Sequence, residues 1–426
     1  MFLKSLNLTN FRNFSKLDFK FKTPITVFMG DNAQGKTNFL ESIFYLSTTK
    51  SFKAEKEEEL IKVGESVLRV EGHVTVSGSE SISNNVILGS EAPPESNQEE
   101  ADSGQARMTD EKGTRLEVAL QQTEIALQKR IRANGISRRL IDYSGNLVIV
   151  LFAPEDINLV TGSPSLRRAY LDSVLSQVDR SYRKALSNYE SVITQKNKLL
   201  KRVRDGFAKK DELIYWVDQQ ILLGTLLANK REEFFNFINS VEKKLGNSSF
   251  EYLPNVLSIE RLKEYQQKEI DSASSLIGPH RDDFRFKMKA TTNVIPAKAG
   301  IQNEQKLLLR NKEWIPDQLT QESTGLSPVR DDKEKDLGKY GSRGEQRTAV
   351  LDLKILELEY IESKIGDRPI LLLDDIFSEL DESHRGHVID LAKMQQTIIT
   401  TVEWDEYLKK ALETSKIYQV KSGKIK

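Results

Sequence analysis

Apolar and polar positions alternate over residues 2–8 and again over 15–21 (Leu17, Phe19, Phe21), the period of strands with one buried face, and the polar stretch Asn10–Asn13 between them predicts a turn. ITVFM at 25–29 is an unbroken apolar run that ends on a glycine, and FLESIFYLS at 39–47 follows it at helical spacing. Further strands are predicted at 67–76, across 115–141 with Asn134-Gly135 as a hairpin turn, at 148–153 before Pro154, and near 283–289. From about 164 to 246 the pattern is helical. Pro164 sits at its start, no other proline follows, and a break at Asp205-Gly206 divides it into two long segments. A helix over 345–363, a strand over 370–373 running into Asp374, and a strand TIIT at 397–400 complete the pattern. Strand–helix alternation at both ends predicts an α/β fold, a single head built from residues 1–163 and 271–426 with a helical arm at 164–270 inserted between them.

Two stretches, 77–113 and 291–335, are rich in polar residues, glycine and proline and poor in large apolar groups. Such segments bury too little surface to offset their ordering entropy, so both are expected to be surface inserts, the first a mobile loop. NVIPAKAGIQ at 293–302 resembles the translated form of a short repeat element found inserted in bacterial genes. No function is assigned to either stretch.

The chain has 426 residues, 30% of them charged, with 63 Lys+Arg against 63 Asp+Glu. Balanced total charge leaves room for a local basic stripe that attracts phosphate. The absence of cysteine excludes disulfides and Cys-ligated zinc and fits a reducing cytoplasm. Lys, Asn and Arg interrupt the first residues, unlike a secretory leader, and no apolar run reaches the ~18 residues of a membrane span. A soluble, cytoplasmic protein without membrane association is expected.

Gly30-Asp31-Asn32-Ala33-Gln34-Gly35-Lys36-Thr37 matches G-x-x-x-x-G-K-[ST] between the apolar strand and the amphipathic helix that such a loop requires. Its glycines let backbone N–H groups converge on phosphate oxygens, and the helix start, continuing through Asn38, adds free N–H groups and a positive dipole end. Lys36 can reach the β- and γ-phosphates, and the Thr37 hydroxyl can ligate Mg²⁺. A chance match is the alternative, and the strand–loop–helix setting weighs against it. Pro369–Asp375, PILLLDD, then reads as a strand buried on both faces that delivers Asp374, a Mg²⁺-site carboxylate, and Asp375, a group to orient the attacking water, to the mouth of the sheet. Gly341-Ser342-Arg343-Gly344-Glu345-Gln346-Arg347 lies just before a helix, where it forms either an anion-binding surface or an ordinary N-cap.

The phosphate loop, S-R-G-E-Q-R, LLLDD and Ser378-Glu379-Leu380-Asp381 resemble, in order and spacing, the Walker A, signature, Walker B and D-loop of ABC-type ATPases. That resemblance implies an ATP-driven homodimer in which Ser342 and Gly344 complete the partner's ATP site. LTNFRNF, PED, GSPSLRR, GPHRDD and LLLDDIFSELD narrow it to the RecF family of bacterial recombination-repair proteins, covering nearly all of the chain outside the two polar stretches. The family implies ATP and Mg²⁺ as cofactors, binding to double- and single-stranded DNA at gaps and junctions, and partnership with RecO and RecR in loading RecA. Arg12 resembles an early arginine near the nucleotide in related heads. Glu155-Asp156 stands where related ATPases carry a coupling glutamine, and the switch histidine of transporters has no counterpart at Thr400–Glu403. With Asp375 in the usual place of a glutamate, slow hydrolysis suited to a switch is implied.

A cluster of Lys196, Lys198, Lys201, Arg202 and Arg204, extended by Lys209 and Lys210, falls around the break in the arm and is either a solvated tip or a DNA-binding surface. His280, in GPHRDD, is one of only four histidines and reads as structural or interfacial rather than catalytic. Three rival functions remain. They are a transporter's nucleotide-binding subunit, opposed by the missing switch histidine; an SMC- or Rad50-type machine, opposed by the lack of a long coiled coil; and an interaction module with a degenerate ATP site.

Overall fold

The computed structural model describes residues 1–76, 113–289 and 334–426, so the polar stretches read at 77–113 and 291–335 lie almost entirely outside the described residues. In chain order the strands of the N-terminal part are β1 (Phe2–Phe11), β2 (Phe14–Lys20), β3 (Ile25–Met29), β4 (Val67–Thr75), β5 (Thr114–Gln122), β6 (Leu127–Ala133), β7 (Ile136–Ser137) and β8 (Ile149–Phe152). The long helix α1 (Lys36–Thr48) follows β3. The middle of the chain gives α2 (Pro164–Val178), α3 (Arg180–Arg204), α4 (Ile214–Ser240), β9 (Ser248–Leu253), α5 (Ile259–Ser272) and β10 (Asp283–Lys289). The C-terminal part gives β11 (Glu334–Asp336), α6 (Arg343–Ile365), β12 (Ile370–Asp374), α7 (Glu382–Lys393), β13 (Thr397–Thr401), β14 (Lys416–Lys421) and β15 (Lys424–Ile425).

Two six-stranded sheets form the head. One is antiparallel, in the order β2-β1-β4-β5-β6-β7; the other runs β15-β14-β3-β13-β12-β8 and is parallel from β14 to β8. The α/β head expected from the alternation is therefore present, and N- and C-terminal strands interleave within one sheet. β8, β12 and β13 are buried throughout, as strands covered on both faces must be. α1 lays Phe39, Leu40, Ile43 and Leu46 at helical spacing into the core between the two sheets. Asn134 (φ 53°) and Gly135 (φ 77°) make the left-handed pair of the predicted hairpin turn.

α6 packs on two sides. Leu351, Ile355, Leu358 and Ile361 meet the parallel sheet, while Ala349, Leu353, Leu356 and Tyr360 meet the arm and the small sheet β11-β10-β9. Every residue from 349 to 358 is buried, charges included. Asp352 accepts from Ser248 Oγ at 2.9 Å, and burial pushes its carboxyl up to about 6. Lys354 Nζ lies 3.3 Å from Glu357 and 3.6 Å from Asp156, and Tyr170 donates to Glu357 at 3.0 Å. α6 thus joins the head's sheet to the arm without a hydrated layer between them.

The arm contains three long helices before β9, where two were expected. The additional break falls at Asp179, whose side chain caps α3 by accepting from Ser181 N (2.7 Å) and Tyr182 N (3.0 Å). Two family motifs meet at the arm's base. Arg167 of GSPSLRR forks onto Asp283 at 2.6 and 3.0 Å, and Arg168 donates to Asp282 O at 2.8 Å. Beneath them Arg231, 1% exposed, donates to Asp172, Asp282, Tyr182 and Pro279 O at 2.7–3.0 Å. His280 bonds Tyr189 (2.9 Å) and Ser275 O (3.0 Å), and burial lowers its pKa. These bonds account for GPHRDD as a junction of the arm helices.

The structure corrects one residue of the expected DNA-binding cluster. Lys196 is 1% exposed and donates to Glu269 at 2.7 Å and Gln220 at 2.8 Å, so it links α3, α4 and α5 and cannot reach a phosphate. Among the described residues no helix is long and apolar enough to cross a membrane.

Candidate functional site

Parallel strands present their C-terminal ends at one edge of the sheet, so the loops after β3 and β12 emerge side by side, separated by β13. The loop after β3 holds a fixed shape. Gly35 adopts φ +110°, and a side chain there would sit 2.4 Å from Asn13 Nδ2; at Gly30 it would sit 2.4 Å from Val420 O. Asp31, Asn32 and Ala33 form the exposed crest, with Ala33 also left-handed (φ 63°).

Three clamps hold this loop. Asn13 Nδ2 donates to Gln34 O (3.1 Å) while its Oδ1 accepts from Asn38 (3.0 Å). Gly423 N donates to the same Gln34 O (3.0 Å), and Ser422 N donates to Gln34 Oε1 (2.8 Å). Lys36 Nζ donates to Gly30 O (2.7 Å) and Asp31 O (3.0 Å), crossing the loop it belongs to. Burial lowers the Lys36 pKa, and the nearby carboxylates of Asp375, Asp374 and Asp31 oppose the shift. Asn13 and the Ser422-Gly423 turn escaped sequence reading, because neither belongs to a phosphate-binding pattern.

Asp374 is 4% exposed, and its Oδ1 accepts from Thr37 (3.1 Å) and Thr400 (2.6 Å). Burial raises its pKa, and both threonine bonds oppose the rise. Thr37 and Asp374 thus converge from loops 337 positions apart, a hydroxyl and a carboxylate suited to one hard cation. Asp375 sits in the left-handed region (φ 49°), its amide donating to Thr400 O at 3.0 Å, and its buried Oδ1 has no hydrogen-bond partner. A buried unpaired carboxylate oxygen is costly, and a donor from bound water or ligand would satisfy it. Together these observations fit Mg²⁺ and a triphosphate.

Arg12 stands close by without a free guanidinium. Its Nε and Nη2 donate to Glu41, each at 2.9 Å, and its Nη1 to Glu59 O at 2.8 Å. It braces α1 against the turn at Glu57–Leu60.

Ser342 is the N-cap of α6, accepting from Glu345 N (3.3 Å), and Glu345 accepts in return from Ser342 N (2.7 Å) and Oγ (2.8 Å). The bonds from the Ser342 amide, Lys335 and the Ser342 hydroxyl hold Glu345 down at about 2. A side chain at Gly344 would meet nothing within 4 Å, so packing within this chain does not demand glycine there. Ser342 and Gly344 are exposed, and among the described residues no hydrogen bond or ion pair links them to residues 30–38. The first turns of α6 are tied instead to the segment after Asp375, through Arg347–Glu379 (3.0 Å) and through Thr348, His384 and Asp381 (3.1 and 2.6 Å).

Lys198, Lys201, Arg202 and Arg204 are exposed near the end of α3, as are Lys209 and Lys210 beyond the Gly206 turn. Arg204 pairs with Asp205 at 2.9 Å.

The model of the RecF/RecN/SMC N-terminal domain matches residues 2–426. The chain is 31% identical to the DNA replication and repair protein RecF of Lachnoclostridium phytofermentans, over 100% of this chain and 99% of that protein. It is 32% identical to the RecF of Natranaerobius thermophilus over 96% and 92% of the two chains. A solved structure of the recombination mediator protein RecF with ATP, in the RecFOR pathway, superposes with a TM-score of 0.73 at 24% identity, covering 100% of this chain and 97% of that one. At that identity the structural likeness is one of fold.

Proposed function

The chain belongs to the RecF family of DNA replication and repair proteins, and we propose that it is an ATP-driven dimer switch that grips DNA at gaps or junctions. Its partners would be RecO and RecR, in the cytoplasm, and its outcome the loading of RecA. One observation carries the reading. The chain presents a loop-and-carboxylate half of a nucleotide site, Lys36, Thr37, Asp374 and Asp375, and separately exposes Ser342 and Gly344 with no use for that glycine in its own packing.

MgATP would supply a divalent cation and a hydrolysable phosphoanhydride. Lys36 would face the β- and γ-phosphates, the loop amides from Gly30 to Asn38 would cradle them, and Thr37 with Asp374 would hold Mg²⁺. Asp375, with its unpaired oxygen, would orient water, and Ser342 and Gly344 of a second copy would close the site. α6 starts at Ser342 and is buried against both the head sheet and the arm. A shift at the dimer interface would therefore move the arm as a packed body rather than dissipate in a loop.

Two results are expected. MgATP converts monomer to dimer, Ser342→Arg blocks the conversion while leaving nucleotide binding by each head intact, and Asp375→Asn prolongs the dimer. Light scattering that gave one mass with and without MgATP would remove the interface assignment. Changing Lys198, Lys201, Arg202 and Arg204 together to Ala weakens binding to all duplex sequences alike. The salt dependence also flattens, by roughly 0.9 in log–log slope for each phosphate no longer neutralised. An unchanged slope would make the arm a scaffold only. ATPase assays on gapped against uniform duplex separate this reading from a transporter subunit, which DNA would not stimulate.

A further inference from the structure

We infer that an arginine-lined cleft at the seam between head and arm is a second binding surface for the phosphodiester backbone of DNA. The inference rests on the DNA-binding reading above but on different residues. The cleft, ≈ 780 Å³, lies where the Asn134-Gly135 turn and the short helix Leu140–Tyr143 meet the start of α3. Arg138, Arg139, Arg180 and Arg183 line it against a single acid, Asp142. Asp142 accepts from Arg180 at 2.5 Å and Arg139 at 3.2 Å, and among the described residues no ion pair engages Arg138. Arg183 turns Nη1 onto the carbonyls of Ser176 and Gln177, while its buried Nε has no partner at all. Asp179, the acid that acts on it most strongly, is already taken by Lys230 at 3.0 Å and by the α3 amides. Arg138, Arg139 and Arg180 are exposed, and theirs are the guanidinium N–H groups that an oxyanion in the cleft can reach.

The lining selects the class of anion. Four guanidinium groups against one carboxylate give a local positive surplus in a chain of balanced total charge. Arginine forks match phosphate oxygens two at a time. No aromatic residue lines the cleft, so nothing there stacks a base, and the surface reads the backbone rather than sequence. An acidic peptide also offers carboxylates to arginine, so it is the competing occupant that the test separates from DNA.

The test uses the full chain with MgATP and a labelled gapped duplex. Arg138, Arg139 and Arg180 changed together to Ala should lower affinity at least roughly tenfold at moderate salt and reduce the salt slope by roughly 0.9 for each phosphate released. The same three changed to Lys should recover most of that affinity. Because the chain has no cysteine, Ser144→Cys places a single thiol on the cleft wall. By thiol–disulfide exchange it should cross-link to duplex whose phosphates carry a tethered mixed disulfide, releasing the small leaving thiol, and the triple Ala change should abolish that cross-link. Wild-type affinity and slope in the triple Ala variant, with no cross-link, overturn the inference and leave the arm-based reading standing. A cleft that binds poly-glutamate without competition from DNA is a peptide site, which also overturns it. Failure of the unaltered chain to bind DNA with MgATP would instead bring down the reading beneath both.

Discussion

Lys36→Ala is expected to abolish tight MgATP binding while leaving the fold intact. Lys36 is 6% exposed, and its ammonium bonds only loop carbonyls, Gly30 O and Asp31 O. Both bonds are only partly buried, with Asp31 exposed, so water can replace the donor. The phosphates lose more. Charge-assisted hydrogen bonds contribute about 1.5–3 kcal/mol each, so losing two corresponds to a drop of roughly 10²–10⁴-fold in affinity. The charge matters further because Asp31, Asp374 and Asp375 stand around the same ammonium. Without it, three carboxylates would face a triphosphate with no lysine between them. Titration calorimetry on the variant measures this directly, with a thermal melt as the folding control. Unchanged affinity would remove the phosphate loop from the nucleotide site.

Arg231→Ala is expected to have the largest effect on stability. Arg231 sits where α2, α3, α4 and GPHRDD meet, and its four partners are Asp172, Tyr182, Pro279 O and Asp282. Asp282 is itself 1% exposed, so truncating the arginine strands a carboxylate that water cannot reach. Breaking a buried ion pair from one side costs about 3–5 kcal/mol, and in a protein of this size that lowers the melting temperature by roughly 3–6 °C. Tyr252 and Asn255 also donate to Asp282 and soften the loss, though neither brings a charge. Calorimetry against the unaltered chain checks the value. A melting point unmoved within about a degree would mean that GPHRDD is not held by this arginine.

What could be read from the linear chain had short-range chemistry behind it. The phosphate loop, the apolar strand ending in Asp374 and the Asn134-Gly135 turn each carry their cause within a few residues, so each was legible. The break at Asp179 was not, because an aspartate inside a helical pattern looks like one more exposed acid until its side chain is seen on the α3 amides. Lys196 misleads for the related reason that charge in a basic run reads as solvated. Its partner Glu269 lies 73 positions away, and nothing local announces the pair. β14 carries only one buried residue, Val420, and its half-exposed pattern hid a strand that borders the phosphate-loop strand. Asn13 falls in the LTNFRNF motif, but its hold on the loop was not legible because its partners, Gln34 O and Asn38, belong to a different element.

The placing of β3 between β13 and β14 has a consequence for how the protein is made. Residues 25–29 are synthesised well before both neighbours that hydrogen-bond to them, which come from 397–401 and 416–421. Throughout translation of the intervening chain, an apolar strand with two open edges has no native partner, the condition in which strands pair wrongly or aggregate. The far end of the arm, where α3, α4 and α5 pack on one another, needs nothing from the C-terminal part, whereas its base also packs on α6. The nucleotide cradle closes only once Ser422 and Gly423 have been made and reach Gln34 to hold the loop. A nascent chain therefore acquires the far end of its arm well before it can respond to ATP.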